Sequence, residues 1–216
     1  MHLNSPRSSS QINREKNYVI AQGGITLNAL HAALAEHDLA MINVGSISDQ
    51  TLAGVVTTAT HGTGMDFKVI STHVLSLTLL LADGSKVRCS RQDRPDLFTA
   101  SLCGLGSTGL ILQIQLEVGP AFRLMETQET LPFDHVVQNM DSIVHASEHV
   151  RLWWFPQADV VRVSSADRTN KVGNGISSRS ASRHLGSHPL FPSPRTQPAL
   201  FCGIRWSDTT WFSFCS

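Results

Sequence analysis

Apolar positions fall at helical spacing in Thr26–Asp38. Leu27, Leu30, Ala33 and Leu34 share one face there, and Thr26 stands where an N-cap belongs. Before this helix, Tyr18–Ala21 is a short β-prone run that ends at Gln22-Gly23-Gly24. After it, Leu39–Asn43 is short and extended. A second helix is expected from about Gln50, capped by Ser48 or Asp49. Leu52, Val55 and Val56 would be its buried side, Ala53, Gly54 and Ala59 its open side, and His61-Gly62 its limit. Val74–Leu81 and Lys86–Cys89 form a hairpin around Asp83-Gly84, which is a structural turn and not a site. Asp96–Leu102 is a short helix behind Pro95, and Leu110–Val118 is a strand. Residues 1–16 carry no such pattern and are expected to be a disordered lead.

From residue 120 the pattern changes. Phe122–Leu131 alternates like a strand. Pro132–Ala146 has Val136, Val137, Met140, Ile143 and Val144 on one side of a single amphipathic helix. Arg151–Phe155 and Asp159–Ser164 are two further strands. A strand–helix–strand–strand order implies a second domain with a mainly antiparallel sheet, so the fold class is α+β. The segment from about residue 172 onward is rich in Ser, Arg, Pro and Gly. Its bulky residues follow no period, and it is expected to be a disordered tail.

Composition excludes more than it selects. The chain has 216 residues, 17 basic and 17 acidic, so no net charge supports a nucleic-acid surface. The histidines are scattered, there is no H-E-x-x-H, and Cys89, Cys103, Cys202 and Cys215 form no C-x-x-C, so no metal site is expected. The cysteine pattern fits a reducing compartment, and no run of apolar residues is long enough for a transmembrane helix.

The stretch Gly45–Gly64 stands out. It has glycines at 45, 54, 62 and 64, seven Ser or Thr hydroxyls, no Lys or Arg, and one acid, Asp49. Glycine lets a backbone come close to a flat or polyanionic group, and free N–H groups at a helix start can hold phosphate oxygens. The competing reading is a tight turn and a close-packed small-residue helix. Gly104–Gly109 contains G-x-G-x-x-G, but a helix precedes it and a strand follows, so a Rossmann site is rejected.

Four segments carry a family resemblance over residues 17–171. They are Gln22–Leu30, Gly45–Gly64, Arg94–Ile111, and Arg151-Leu-Trp-Trp-Phe-Pro156. The sequence resembles the second half of the FAD-binding domain of the vanillyl-alcohol oxidase type (residues 17–119), followed by the start of a sugar-lactone oxidase cap domain (residues 120–171). Within that group it is most similar to the fungal D-arabinono-1,4-lactone oxidases. The resemblance implies FAD as cofactor. Gly45, Ser46, Thr51, Gly54, Thr58, Thr60, His61 and Gly62 would line its pyrophosphate and isoalloxazine. Leu110 or Ile111 would back the adenine side or hold the cofactor by main-chain bonds. His61 has a second reading, a helix-end histidine bonding the backbone. No catalytic residue is assigned.

The implied reaction is oxidation of a hydroxyl-bearing C–H of a sugar lactone. Hydride passes to the flavin, and dioxygen is reduced to hydrogen peroxide. A mitochondrial or membrane-associated intracellular location is implied by the resemblance alone, with any membrane contact made through regions missing here. Family members also carry a preceding flavin subdomain with a glycine-rich turn, and Met1–Lys16 has neither the length nor the glycines for it. The expectation is therefore a truncated chain with weak activity or none. A non-catalytic nucleotide-binding fragment and a non-functional gene-model product are the alternatives.

Overall fold

A computed structural model describes residues 10–169. The chain enters through β1 (Gln11–Asn13) and β2 (Tyr18–Gln22), which pair antiparallel, so part of the expected disordered lead is an edge strand. Helix α1 (Leu27–Ala35) follows, then β3 (Leu39–Ala40) and helix α2 (Leu52–Thr57). A 3-10 turn at Ile70–His73 leads into β4 (Val74–Leu80), β5 (Lys86–Ser90), helix α3 (Pro95–Ser101), β6 (Leu110–Glu117) and β7 (Gly119–Pro120). Five of these strands form one antiparallel sheet in the order β1-β2-β6-β4-β5, and β3 pairs with β7.

Alternation decides the faces of the large sheet. Ile111, Ile114 and Leu116 of β6 are buried against Leu27, Leu30 and Leu34 of α1, Leu52, Val55 and Val56 of α2, and Phe98 of α3. Ser76, Thr78, Arg88, Gln113 and Gln115 gather on the opposite face, where Arg88 Nη2 donates to Ser76 Oγ (3.2 Å) and Gln115 Oε1 (3.1 Å). At the expected hairpin turn, hydrogen bonding from the Ser85 side chain first, and then from the Ser85 N–H at 2.9 Å, holds the Asp83 carboxyl below the usual carboxylate range.

The second unit is a three-stranded antiparallel sheet, β8-β10-β9, built from β8 (Arg123–Pro132), β9 (His149–Phe155) and β10 (Val160–Thr169). The single helix expected over Pro132–Ala146 is two short ones, α4 (Phe133–Gln138) and α5 (Met140–Val144), broken at Asn139. The His135 carbonyl accepts both the Asn139 main-chain N–H (3.1 Å) and the Asn139 side-chain amide (2.8 Å), local side-chain bonding of the kind Asn favours at a helix end. The break changes the buried face. Val136 packs on Val161 and Val163 with Ile143 beside them, whereas Val137 and Met140 are exposed. The expected tail from residue 172 lies outside the described residues.

Helices α1 and α2 start side by side, and this changes how α2 is capped. Thr51, not Ser48 or Asp49, is the N-cap, its hydroxyl accepting from the Gly54 N–H at 3.2 Å. Ser48 and Asp49 are engaged by α1 instead, since the Asn28 N–H donates to the Ser48 carbonyl and the Asn28 amide to Asp49. The first N–H groups of α2 are satisfied within the fold: Leu52 N–H donates to Ile25 and Ala53 N–H to the Gly23 carbonyl, both at 2.8 Å. Helix α2 also stops at Thr57, earlier than the His61-Gly62 limit, because Ala59 takes a left-handed conformation (φ 54°).

Gly23 is the point where α2 and the sheet touch. A Cβ there would collide with the Ile111 carbonyl oxygen and approach the Ala53 Cβ to 3.2 Å, while a Cβ at Gly24 meets nothing. We expect Gly23→Ala to cost about 1–3 kcal/mol, the range for overpacking a filled site, and Gly24→Ala less than about 1 kcal/mol. Urea unfolding of the two variants checks the contrast. His31 on α1 has a buried, unpartnered Nε2, and burial pushes its pKa below the ordinary imidazole value. The unfolded chain therefore binds the proton better. Stability is fully present above about pH 6.5 and falls as pH drops from there through the folded value. His31→Gln should flatten that part of the profile in urea midpoints compared across this window.

Candidate functional site

Two loops lie side by side beyond the ends of α2. The first is residues 43–50 and the second residues 60–67. Their contact is main chain on main chain. A Cβ at Gly62 would collide with the Asn43 side chain and the Val44 carbonyl, and one at Gly45 would lie 2.9 Å from the Thr60 methyl. Gly45 and Gly62 thus serve the close approach of the loops to each other. Gly54 is different: a Cβ there would meet only the Thr51 hydroxyl, at 3.1 Å.

Hydroxyls continue the line. Thr58 Oγ1 donates to the Gly54 carbonyl at 2.9 Å and lies 3.1 Å from Thr60 Oγ1. His61 is exposed, and its Nδ1 sits 2.9 Å from the Gly62 carbonyl. A carbonyl can only accept, so Nδ1 carries the proton and Nε2 is left open. His61 bonds the backbone, as a helix-end histidine would, and its side chain belongs to a residue that lines the site cavity.

The donors that the loops leave free are main chain. Among the described residues, none of the N–H groups of residues 45–49 or 61–65 donates a hydrogen bond within the chain, and the Ser46 and Ser48 hydroxyls make none. Two adjacent loops of small residues with unpaired N–H groups offer donors of the kind that bind anionic or carbonyl oxygens. This differs from the expectation that the helix start would hold phosphate, since those N–H groups are already used. Ile47 and Met65, exposed by 59% and 64%, put apolar surface beside the donors. Donor loops, adjoining hydroxyls and apolar flanks fit a flavin nucleotide.

A cavity of about 430 Å³ opens next to the loops. One wall is Ser46 and residues 61–65. The other is Val144 of α5 and residues 150–152 of β9, where Arg151 is, among the described residues, the one Lys or Arg side chain on the lining. The size is within the ordinary range for small-molecule sites. Of the residues the sequence singled out, Ser46, His61 and Gly62 line this cavity, and Gly45 and Thr60 pack directly behind them. Thr51 and Gly54 lie at the far end of α2, tied back through Thr58. Ile111 is buried on β6 against Gly23, and Leu110 is exposed at the start of that strand; neither is on the cavity. Among the described residues no cluster of His, Cys, Asp and Glu could hold a metal.

Asn43, Phe67, Arg151 and His149 belong to the site's framework, and sequence patterning did not single them out. Asn43 is buried, and its carbonyl oxygen accepts from the Val44 N–H at 3.0 Å. His149 reaches Thr63 across 86 residues of sequence, a separation at which no local pattern carries a signal.

Two family models match the chain. One is described as FAD binding domain, over residues 2–90, and the other as D-arabinono-1,4-lactone oxidase, over residues 114–197. L-gulonolactone oxidase of Mus musculus is 37% identical over 177 residues, 82% of this chain and 40% of that protein. D-arabinono-1,4-lactone oxidase of Yarrowia lipolytica is 38% identical over 141 residues, 65% of this chain and 27% of that protein. Among solved structures, a solvent-stable cholesterol oxidase aligns with a TM-score of 0.68 at 24% identity, over 76% of this chain and 35% of that one, which bears on the fold alone. The chain spans about two-fifths or less of the length of these curated relatives. The two models together match the greater part of the sequence and both sets of curated relatives are named as lactone oxidases, so the chain is similar to FAD-binding sugar-lactone oxidases along most of its length.

Proposed function

We propose that the protein takes part in oxidation of an aldono-1,4-lactone, D-arabinono-1,4-lactone in particular, with FAD as cofactor and dioxygen as the oxidant that yields hydrogen peroxide. The observation that carries this reading is the pair of loops with unpaired N–H groups beside a cavity that a second sheet closes. The similarity to lactone oxidases of mammals and yeasts supports the choice of substrate class.

When bound, FAD supplies the two-electron acceptor, which no side chain can supply. The chain's own residues bind and orient. The N–H groups of residues 45–49 and 61–65 hold oxygens of the nucleotide, and the Ser46 hydroxyl adds a donor. Gly45 and Gly62 keep the two loops at the spacing that makes one surface of them. A lactone is uncharged and rich in hydroxyls, so its recognition needs polar groups on an otherwise apolar lining. Arg151, Thr63 and the open Nε2 of His61 provide those groups, and Val144, Val150 and Leu152 exclude water around them. Membrane association belongs to this proposal on family resemblance only; among the described residues no helix is long and apolar enough to cross a membrane.

The test is peroxide formation by the full chain supplied with FAD and oxygen. We expect peroxide to appear in proportion to lactone consumed, and D-arabinono-1,4-lactone to be turned over faster than L-gulono-1,4-lactone. A chain that binds FAD and forms no peroxide with either lactone would contradict the reading and favour the non-catalytic nucleotide-binding one.

A further inference from the structure

The loop at residues 61–65 faces the nucleotide site on one side and is held from the other by the second sheet. The hold is concentrated at one residue. His149, the first residue of β9, is 94% buried on the basis of its 6% exposure. Its Nδ1 lies 3.1 Å from the Thr63 carbonyl oxygen and 3.0 Å from the Thr63 hydroxyl. Because a carbonyl only accepts, the proton sits on Nδ1, and the Thr63 hydroxyl accepts the same N–H or turns its own away. The other ring nitrogen, Nε2, is buried with no partner, so a proton there would be an unpaired buried donor. The imidazole also stacks on Phe67, with centroids 4.7 Å apart and planes 2° from parallel.

The main chains meet beside it. A Cβ at Gly64 would collide with the Glu148 carbonyl, and Gly64 has φ +97°, a conformation that side-chain-bearing residues rarely take. Arg168 of β10 locks the same corner from outside. Its Nε is 2.9 Å from Glu148, and its guanidinium lies 4.1 Å from the Phe122 ring centroid and 5.7 Å from that of Phe67. Thr63 and Gly64 are thus clamped between Asn43 and His149, and their N–H groups donate to neither.

We propose that His149 is a positioning residue for the flavin-side loop: through its Nδ1–H it ties the main chain of Thr63 to the second sheet and so sets the direction of the unpaired N–H row of residues 61–65. This rests on the reading of that row as part of the FAD surface. His149 itself does not reach the cavity, and it acts through Thr63. Donor groups serve a ligand only when held to within about half an ångström of their working geometry. Within the loop itself only His61 Nδ1 to the Gly62 carbonyl and the Phe67 N–H to the Gly64 carbonyl hold it, so an outside tether adds the missing restraint at Thr63.

Two full-length variants, read against the unaltered chain, test the proposal. His149→Phe keeps the ring and its stack on Phe67 and loses the donor. His149→Asn places an amide N–H near the position of Nδ1 and loses the stack. The unaltered chain is the reference. Two quantities are read: the rate of tryptic cleavage after Lys68, which lies exposed in the same loop, and FAD affinity from quenching of flavin fluorescence. We expect His149→Phe to speed the Lys68 cut and weaken FAD binding by about fivefold each, the scale of one lost hydrogen bond. We expect His149→Asn to restore most of both. Faster cleavage with unchanged FAD affinity overturns the positioning role, and so does His149→Phe behaving like the reference. If the reference chain quenches no FAD, the FAD reading fails by itself, and the tether is then judged on the Lys68 cut. If His149→Phe does not fold, the long-range nitrogen–proton spectrum of the unaltered chain decides. A proton on Nδ1 of His149 supports the tether, and one on Nε2 overturns it.

Discussion

The candidate site depends on main chains approaching one another more closely than any side chain allows. At Gly62 the loop of residues 60–67 presses on Asn43 and Val44, at Gly45 the contact runs the other way onto Thr60, and at Gly64 the same loop meets the Glu148 carbonyl of the second sheet. Gly23 repeats the device inside the fold, seating α2 on β6. These contacts consume backbone surface without consuming N–H groups. The result is a small region where two loops are fixed in place and their donors are left over for something else.

The two units share this arrangement. The large sheet supplies the loops through α2, and the small sheet supplies the back wall through β9. Neither makes the cavity alone. Its lining runs from Ser46 to Leu152, and His149 and Arg168, which do not line it, join the halves behind the loop of residues 61–65. That division also suits a chemistry in which a nucleotide cofactor lies along one wall and a small polar substrate is enclosed by the other.

Much of this was legible in the sequence, for local reasons. Leu27, Leu30 and Leu34 lie one helical face apart and are buried as expected, and Thr26 caps that helix, its hydroxyl accepting from Ala29 N–H. Asp83-Gly84 turns the hairpin. The family segments named a cofactor that the loops suit. What was not legible depended on tertiary partners. Ser48 and Asp49 are good caps by composition, yet α1 takes them and leaves Thr51 to cap α2. The helix over Pro132–Ala146 has the right apolar period, yet Asn139 folds its side chain back and splits it. The glycines signalled close approach correctly. What approaches Gly45 and Gly62 is the neighbouring loop, which composition alone cannot name. His149 gave no signal, because its partner lies 86 residues away.

On the proposed function, the leftover donors of residues 45–49 and 61–65 are the surface that holds FAD. An amide-resolved nitrogen–proton NMR titration of the full chain with FAD tests it most directly, since it registers even weak binding residue by residue. The account predicts that the largest shifts fall on the amides of Gly45, Ser46, Gly62, Thr63 and Gly64, with those at the start of α2, Leu52 and Ala53, little moved because their protons are already bonded within the fold. Shifts centred on Leu52 and Ala53, or on the polar face around Arg88, with the two loops unmoved, would contradict it.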